Sequence, residues 1–194
     1  MTEQQKEMLA EARSNNLELS SHMTEYWERF SGLDTWQFWI IVLMTIIPLI
    51  VLFFAIDRRK VLLIGFFGFN YHVWFAYVNS TGIRYGLWEY PYEVVPFLPS
   101  FALDASLVPI TYMLVFQWTL NHNKNIFILS TITAAILAFI VKPIMVHLHY
   151  FHMFYGINFF HLFLFYIGMF LVSYGITKVF MWLQNHKKRN PQHP

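Results

Sequence analysis

The sequence predicts an all-α integral membrane bundle of five transmembrane helices, preceded by an N-terminal amphipathic surface helix. Three observations predict it. The 194-residue chain is 57% hydrophobic and only 12% charged, where a soluble domain carries roughly 25% charged residues. The shortfall is set out as five apolar runs after position 35, each near the roughly 20 residues that cross a hydrocarbon core about 30 Å thick. The basic residues gather at alternate ends of those runs. The length suits one domain.

Residues 1–35 are polar and read as helix. Leu19, Met23, Tyr26, Trp27 and Phe30 recur at three- and four-residue steps and form one apolar stripe, with Glu18, Glu25, Glu28 and Arg29 on the rest of the surface. Such a helix lies on the membrane surface or against the bundle. Its acidic face opposes anionic lipid, so docking on the protein is expected. Ser31-Gly32 ends it, and Asp34 is expected to cap the next helix with Gln37 completing a capping box.

The transmembrane domain is expected over 36–182, with spans at 36–56, 61–78, 101–120, 126–146 and 158–182, followed by a basic tail at 183–194. A bilayer offers no water to unpaired backbone groups, so each span must be helical. Asp104 interrupts the third span, Lys142 the fourth, and Lys178 falls near the end of the fifth. Pro48, Pro109 and Pro143 are expected to kink their helices. No signal peptide or lipidation motif is visible at the polar, acidic start. The absence of cysteine removes disulfides, thiolate nucleophiles and Cys-ligated metals together.

Arg58, Arg59 and Lys60 follow the first span, Lys124 follows the third, and Lys187, Lys188 and Arg189 follow the fifth. Positive charge stays inside, so these segments are expected in the cytoplasm and the N-terminus outside. Trp36, Trp39, Trp88 and Tyr90 would then form an aromatic belt at the outer boundary, with Trp118 and Trp182 at the inner one.

That topology gathers nearly every ionisable group at membrane depth into the outer half. Asp104, Lys142 and His161 would each lie about one turn in, with His72 in the outer half of the second span. The outer links would add Arg84, Glu89, Glu93, His147, His149 and His152. A charge facing lipid costs several kcal/mol by estimates that disagree widely, so Asp104 and Lys142 should face the interior. They are the opposite charges of adjacent spans and are expected to pair, as a structural ion pair or as part of a functional pocket; separate snorkelling is the third arrangement. His72 shares a helical stripe with Gly65 and Gly68, and small residues let helices approach, so this face should point inward.

His147, His149 and His152 invite a metal reading, since imidazole suits zinc, copper and iron. Membrane di-iron enzymes use about twice as many histidines in defined pairs, so water- or headgroup-bonded histidines are the competing reading. No cofactor is expected. The link from Asn79 to Ser100, with Pro91, Pro96 and Pro99 among aromatics, is long for a small bundle and suits a lid, a binding surface or a flat cover. Asn79-Ser80-Thr81 fits a glycosylation acceptor, but nothing else in the chain points to a glycosylating host.

Arg84 with Trp88-Glu89-Tyr90, Asp104 with Leu107-Val108-Pro109, and Lys142-Pro143 leading into an aromatic stretch give the chain a resemblance. Over roughly residues 36–182 it resembles an uncharacterised family of small polytopic membrane proteins of Bacillus-type spore-forming bacteria. In that family an acidic residue commonly precedes the proline where this chain has Lys142, so the charge pattern departs there. The resemblance implies the fold and a bacterial host, and carries no activity.

Three functions fit. The first is a structural or accessory membrane component, as the small size and lack of catalytic signatures suggest. The second is an enzyme or transporter handling a lipid or small amphiphile in an outer-leaflet pocket. The third is a pH-linked sensor built on the histidines. No P-loop, Rossmann glycine motif, GxSxG or HExxH is present, and no inverted repeat supports a conventional transporter. The partners expected are the lipid bilayer and a membrane protein or a second copy of the chain. Nucleic acid is not expected, because the basic residues are membrane flanks.

Overall fold

A computed structural model describes residues 1–98 and 100–189, with side chains through residue 186 in the last stretch. Pro99 and residues 190–194 fall outside the described residues, and the side chains of Lys187, Lys188 and Arg189 fall outside the described side chains.

The architecture is helical, and five of its helices are long and apolar enough to cross a membrane: α2 (Trp36–Ala55), α3 (Val61–Arg84), α4 (Leu103–His122), α5 (Ile126–His147) and α6 (Phe159–Arg189). Helix α1 (Glu3–Phe30) precedes them. The large apolar side chains left exposed form outward faces on the spans, such as Leu43, Ile46, Ile47, Ile50, Phe53 and Phe54 on α2. This is the pattern expected of a protein solvated by lipid, where the outside of the bundle is as apolar as its core.

Helix α3 sits centrally, packed on α4 and α6. Ile64, Phe67, Tyr71, Phe75, Asn79 and Gly82 are buried at three- and four-residue steps along it. Aromatic stacking fills the interior: Tyr71 lies on Tyr112 with ring centroids 4.2 Å apart, and Phe75 on Tyr166 at 5.9 Å.

Pro109 and Pro143 do not simply kink α4 and α5. Each follows a single wide π-turn, at Leu103–Leu107 and Leu137–Val141. The N–H of Val108 reaches back to the Leu103 carbonyl, and that of Lys142 to the Leu137 carbonyl. Proline supplies no N–H and its ring crowds the preceding turn, and a turn widened by one residue relieves that crowding while the helix continues. Asp104 lies inside the first π-turn and Lys142 directly after the second. Pro48 sits inside α2, which continues through it as α-helix.

Several boundaries differ from expectation. The second span continues past residue 78 to Arg84, taking Asn79, Ser80, Thr81 and Gly82 into α3. These are weak helix formers, but tertiary contacts override propensity: the Asn79 amide is held in the core, and a Cβ at Gly82 would run into the buried Trp88 ring. Helix α2 is capped by the Thr35 hydroxyl, which accepts from the Phe38 N–H at 3.3 Å, and not by Asp34. Helix α6 runs on to Arg189, into the segment expected as tail.

Helix α1 touches the bundle only near its C-terminal end. Met23 and Trp27 are half-buried, while Leu19, Tyr26 and Phe30 stay exposed. The Trp27 indole donates to the Glu93 carbonyl at 2.9 Å, and the Ser31 hydroxyl accepts from the Glu93 N–H at 2.9 Å. The link 85–102 is fastened on its other side as well. Residues Trp88–Glu89 (β1) pair antiparallel with His152–Met153 (β2), in the register Trp88 to Met153 and Glu89 to His152.

Candidate functional site

The ionisable core is a relay across three helices and one link. Asp104 on α4 is buried, and both its carboxylate oxygens accept: Oδ1 from Asn79 Nδ2 at 2.8 Å and Oδ2 from Ser100 Oγ at 2.8 Å. The Asn79 amide also approaches Ser100 Oγ. Asn79 Oδ1 accepts twice, from Trp88 Nε1 at 2.7 Å and from Tyr90 OH at 3.1 Å. Lys142 on α5, 3% exposed, donates to Tyr90 OH at 3.1 Å. Its Nζ lies 3.4 Å from the centroid of the Phe151 ring and 4.7 Å from that of Tyr90.

Asp104 and Lys142 therefore face the interior, but no ion pair joins them among the described residues. The arrangement is Lys142–Tyr90–Asn79–Asp104, two charges joined through two neutral groups. The relay satisfies the buried carboxylate without direct contact with the cation. The cation rests on two aromatic faces, an interaction worth about 2 kcal/mol when desolvated. Burying charge is tolerable only when it is bonded this way.

Asn79, Ser100, Trp88 and Tyr90 are the members that the sequence reading missed or misplaced. Trp88 and Tyr90 are core residues, 4% and 7% exposed, and not part of an aromatic belt. Their polar ends find Asn79, as buried Trp and Tyr usually require a partner. The amide of Asn79 is spent in the core, which overturns its reading as a glycosylation acceptor. The available signal was spacing: Tyr71, Phe75, Asn79 and Gly82 continue one helical stripe past the expected end of the span.

The other candidates are dispersed. His72 is half-buried and its Nδ1 donates to the Asp104 backbone carbonyl at 2.7 Å, so it supports the π-turn that carries Asp104. Gly68, one turn away, lies against Met113. Arg84 is exposed at the end of α3, with no hydrogen bond or ion pair among the described residues. Glu89 pairs with His152 Nδ1 at 3.0 Å. His161 accepts from the Asn158 N–H at 3.3 Å at the start of α6, apart from the relay. His147 is exposed at the end of α5, and His149 lies with its ring 5.9 Å from that of His152. Among the described residues no three His, Asp or Glu side chains converge as a metal site would require.

Glu93 is the unexpected member of this list. It is 5% exposed, and burial pushes its carboxyl up to about 8. Its backbone holds Trp27 and Ser31, and the residue lines both a cleft toward α1 and a cavity of about 10 Å³ shared with Tyr90 and Ser100.

Besides that cavity, two spaces of very different size adjoin the relay. A cavity of about 20 Å³ is lined by Asn79, Tyr90, Lys142 and Phe151, enough for one water molecule and for nothing larger. A cleft of about 870 Å³ opens between α1, the 85–102 link and the segment 149–154. No family model, curated protein or solved structure matches the chain.

Proposed function

We propose that the chain is a structural or accessory component of a membrane, and that the Asp104–Lys142 relay joins the link 85–102 to the bundle without performing chemistry. One observation carries this reading: among the described residues every polar group of the relay is bonded inside the protein, and the cavity of about 20 Å³ beside Lys142 admits a single water. A catalytic or transport site needs room for a substrate at its charged groups. The broad apolar face of α2, of which 11% of the most apolar stretch is buried, leaves area for lipid, a partner helix or a second copy.

The basic residues Arg58, Arg59, Lys60 and Lys124 support a cytoplasmic location for their ends of the spans. The N-terminal helix, the link 85–102 and the relay then lie on the outer side, with α1 resting at the membrane surface.

Purification of the full chain in a mild detergent tests the accessory role. A stoichiometric membrane-protein partner, or a defined homo-oligomer by light scattering, is the expected result. Turnover of a lipid or amphiphile by the isolated chain, lost in Asp104→Asn, would overturn it. Cysteine labelling at Glu18 and Lys124 tests the orientation, with only the former expected to react from outside intact cells.

A further inference from the structure

We propose that the cleft between α1 and the link 85–102 binds an organic ammonium ion carrying an apolar tail, with the Glu93 carboxylate as counter-charge. The cleft, about 870 Å³, falls within the range of roughly 300–1,000 Å³ of small-molecule sites. Its walls carry Tyr26, Trp88, Tyr92 and Phe97, aromatic faces whose quadrupoles attract an alkylammonium group. Glu89 and Glu93 are its acidic groups, and neither lysine nor arginine lines it. That charge pattern disfavours phosphate and carboxylate headgroups and favours a cation without one.

The two carboxylates are not equivalent. Glu89 is exposed and already held by His152. Glu93 is 5% exposed, and its carboxyl has no hydrogen-bond partner among the described residues, although its backbone N–H and carbonyl are both bonded. A buried carboxyl left without a donor normally costs stability, and a bound cation supplies what is missing. The cleft is separate from the Lys142 end of the relay, so the proposal goes beyond the accessory role and stands without it.

Burial pushes the Glu93 carboxyl up to about 8, so binding a cation displaces a proton. The other titratable groups lining the cleft are Tyr26 from α1, Glu89, Tyr90 and Tyr92 from the link, and His149 and His152 from the segment before α6. On the side facing α2 and α5 the neighbours are apolar: Ile41, Met44 and Met145.

The test is calorimetric titration of hexyltrimethylammonium into the full chain in dodecyl maltoside, with empty micelles as the blank. Saturable binding is expected, strengthening as pH rises from about 6 toward 8 and then levelling off. Hexyl sulfate should not compete. Glu93→Gln should weaken binding about tenfold, or ~1.4 kcal/mol, and remove the pH dependence. Should that variant fold poorly, Tyr26→Leu on the exposed helix should weaken binding severalfold. Heat indistinguishable from the blank, equal affinity for hexyl sulfate, or undiminished binding in both variants would overturn the proposal.

Discussion

Lys142 and Asp104 meet only through intermediaries: the ammonium donates to Tyr90 OH at 3.1 Å, and the carboxylate accepts from Asn79 Nδ2 at 2.8 Å. Tyr90 donates in turn to Asn79 Oδ1 at 3.1 Å. All the donors in this chain point from the cation toward the anion. Each bond polarises the next in the same sense, which strengthens a buried network beyond its separate pairs.

Tyr90→Phe keeps the ring under Lys142 and removes the hydroxyl that Lys142 and Asn79 share. The expected loss is about 1.5–3 kcal/mol, the range for hydrogen bonds to charged groups. Thermal unfolding in detergent measures it. An unchanged melting temperature would remove Tyr90 from the relay.

Asn79→Leu should be the most damaging single substitution in the relay. It orphans Trp88 Nε1, leaves the Tyr90 O–H without its acceptor and takes one donor from Asp104. Each buried group left unpaired costs about 1–3 kcal/mol, so poor yield of folded protein is expected. Retained yield and melting temperature would show that Asn79 is not its centre.

Asp104→Asn and Lys142→Met should each destabilise, by up to about 3–5 kcal/mol if the remaining charge stays uncompensated. The double variant should recover part of the loss. Two intervening neutral groups should hold the coupling to the lower part of the roughly 0.5–3 kcal/mol range of interacting residues. Coupling at the top of that range would mean direct contact between the charges.

Glu93 gives stability a definite pH dependence. Its carboxyl is raised from the ordinary 4.5 to about 8 in the folded chain, by burial. The folded state therefore holds this proton more tightly than the unfolded state. Its contribution is most favourable below about 4.5, declines as pH rises, and is flat above about 8. Melting temperature followed across this window should fall in the native chain and fall less in Glu93→Gln. Identical slopes would show that the carboxyl is solvated.

The five spans were legible because lipid imposes length and apolarity on every crossing segment. The inward aspect of Asp104 and Lys142 was legible from the cost of charge in hydrocarbon. Their partners were not. Asn79 stands among Ser80, Thr81 and Gly82, which read as a loop, and the core bonds of Asn79 and the packing of Trp88 over Gly82 favour helix there. Trp88 and Tyr90 carry the composition of an interfacial belt, and nothing local says that a chain reversal folds them inward. Glu93 could be named as a charge in the link, but its burial depends on Trp27 and Ser31, more than 60 positions away.

The two π-turns make residue count, rather than residue identity, the sensitive quantity in α4 and α5. Each wide turn holds one more residue than an ordinary turn needs, so removing a residue there would let the helix close up as plain α. Everything on one side of the deletion would then rotate by about 100° relative to the other. At Leu103–Leu107 that rotation would carry Ser100 and the end of the link away from α3. At Leu137–Val141 it would swing Lys142 out of register with the N-terminal part of its own helix. Replacing Ala105 or Phe139 by another apolar side chain should be mild, whereas deleting either should dismantle the relay. The number of residues in each π-turn thus works as a ruler built into the backbone.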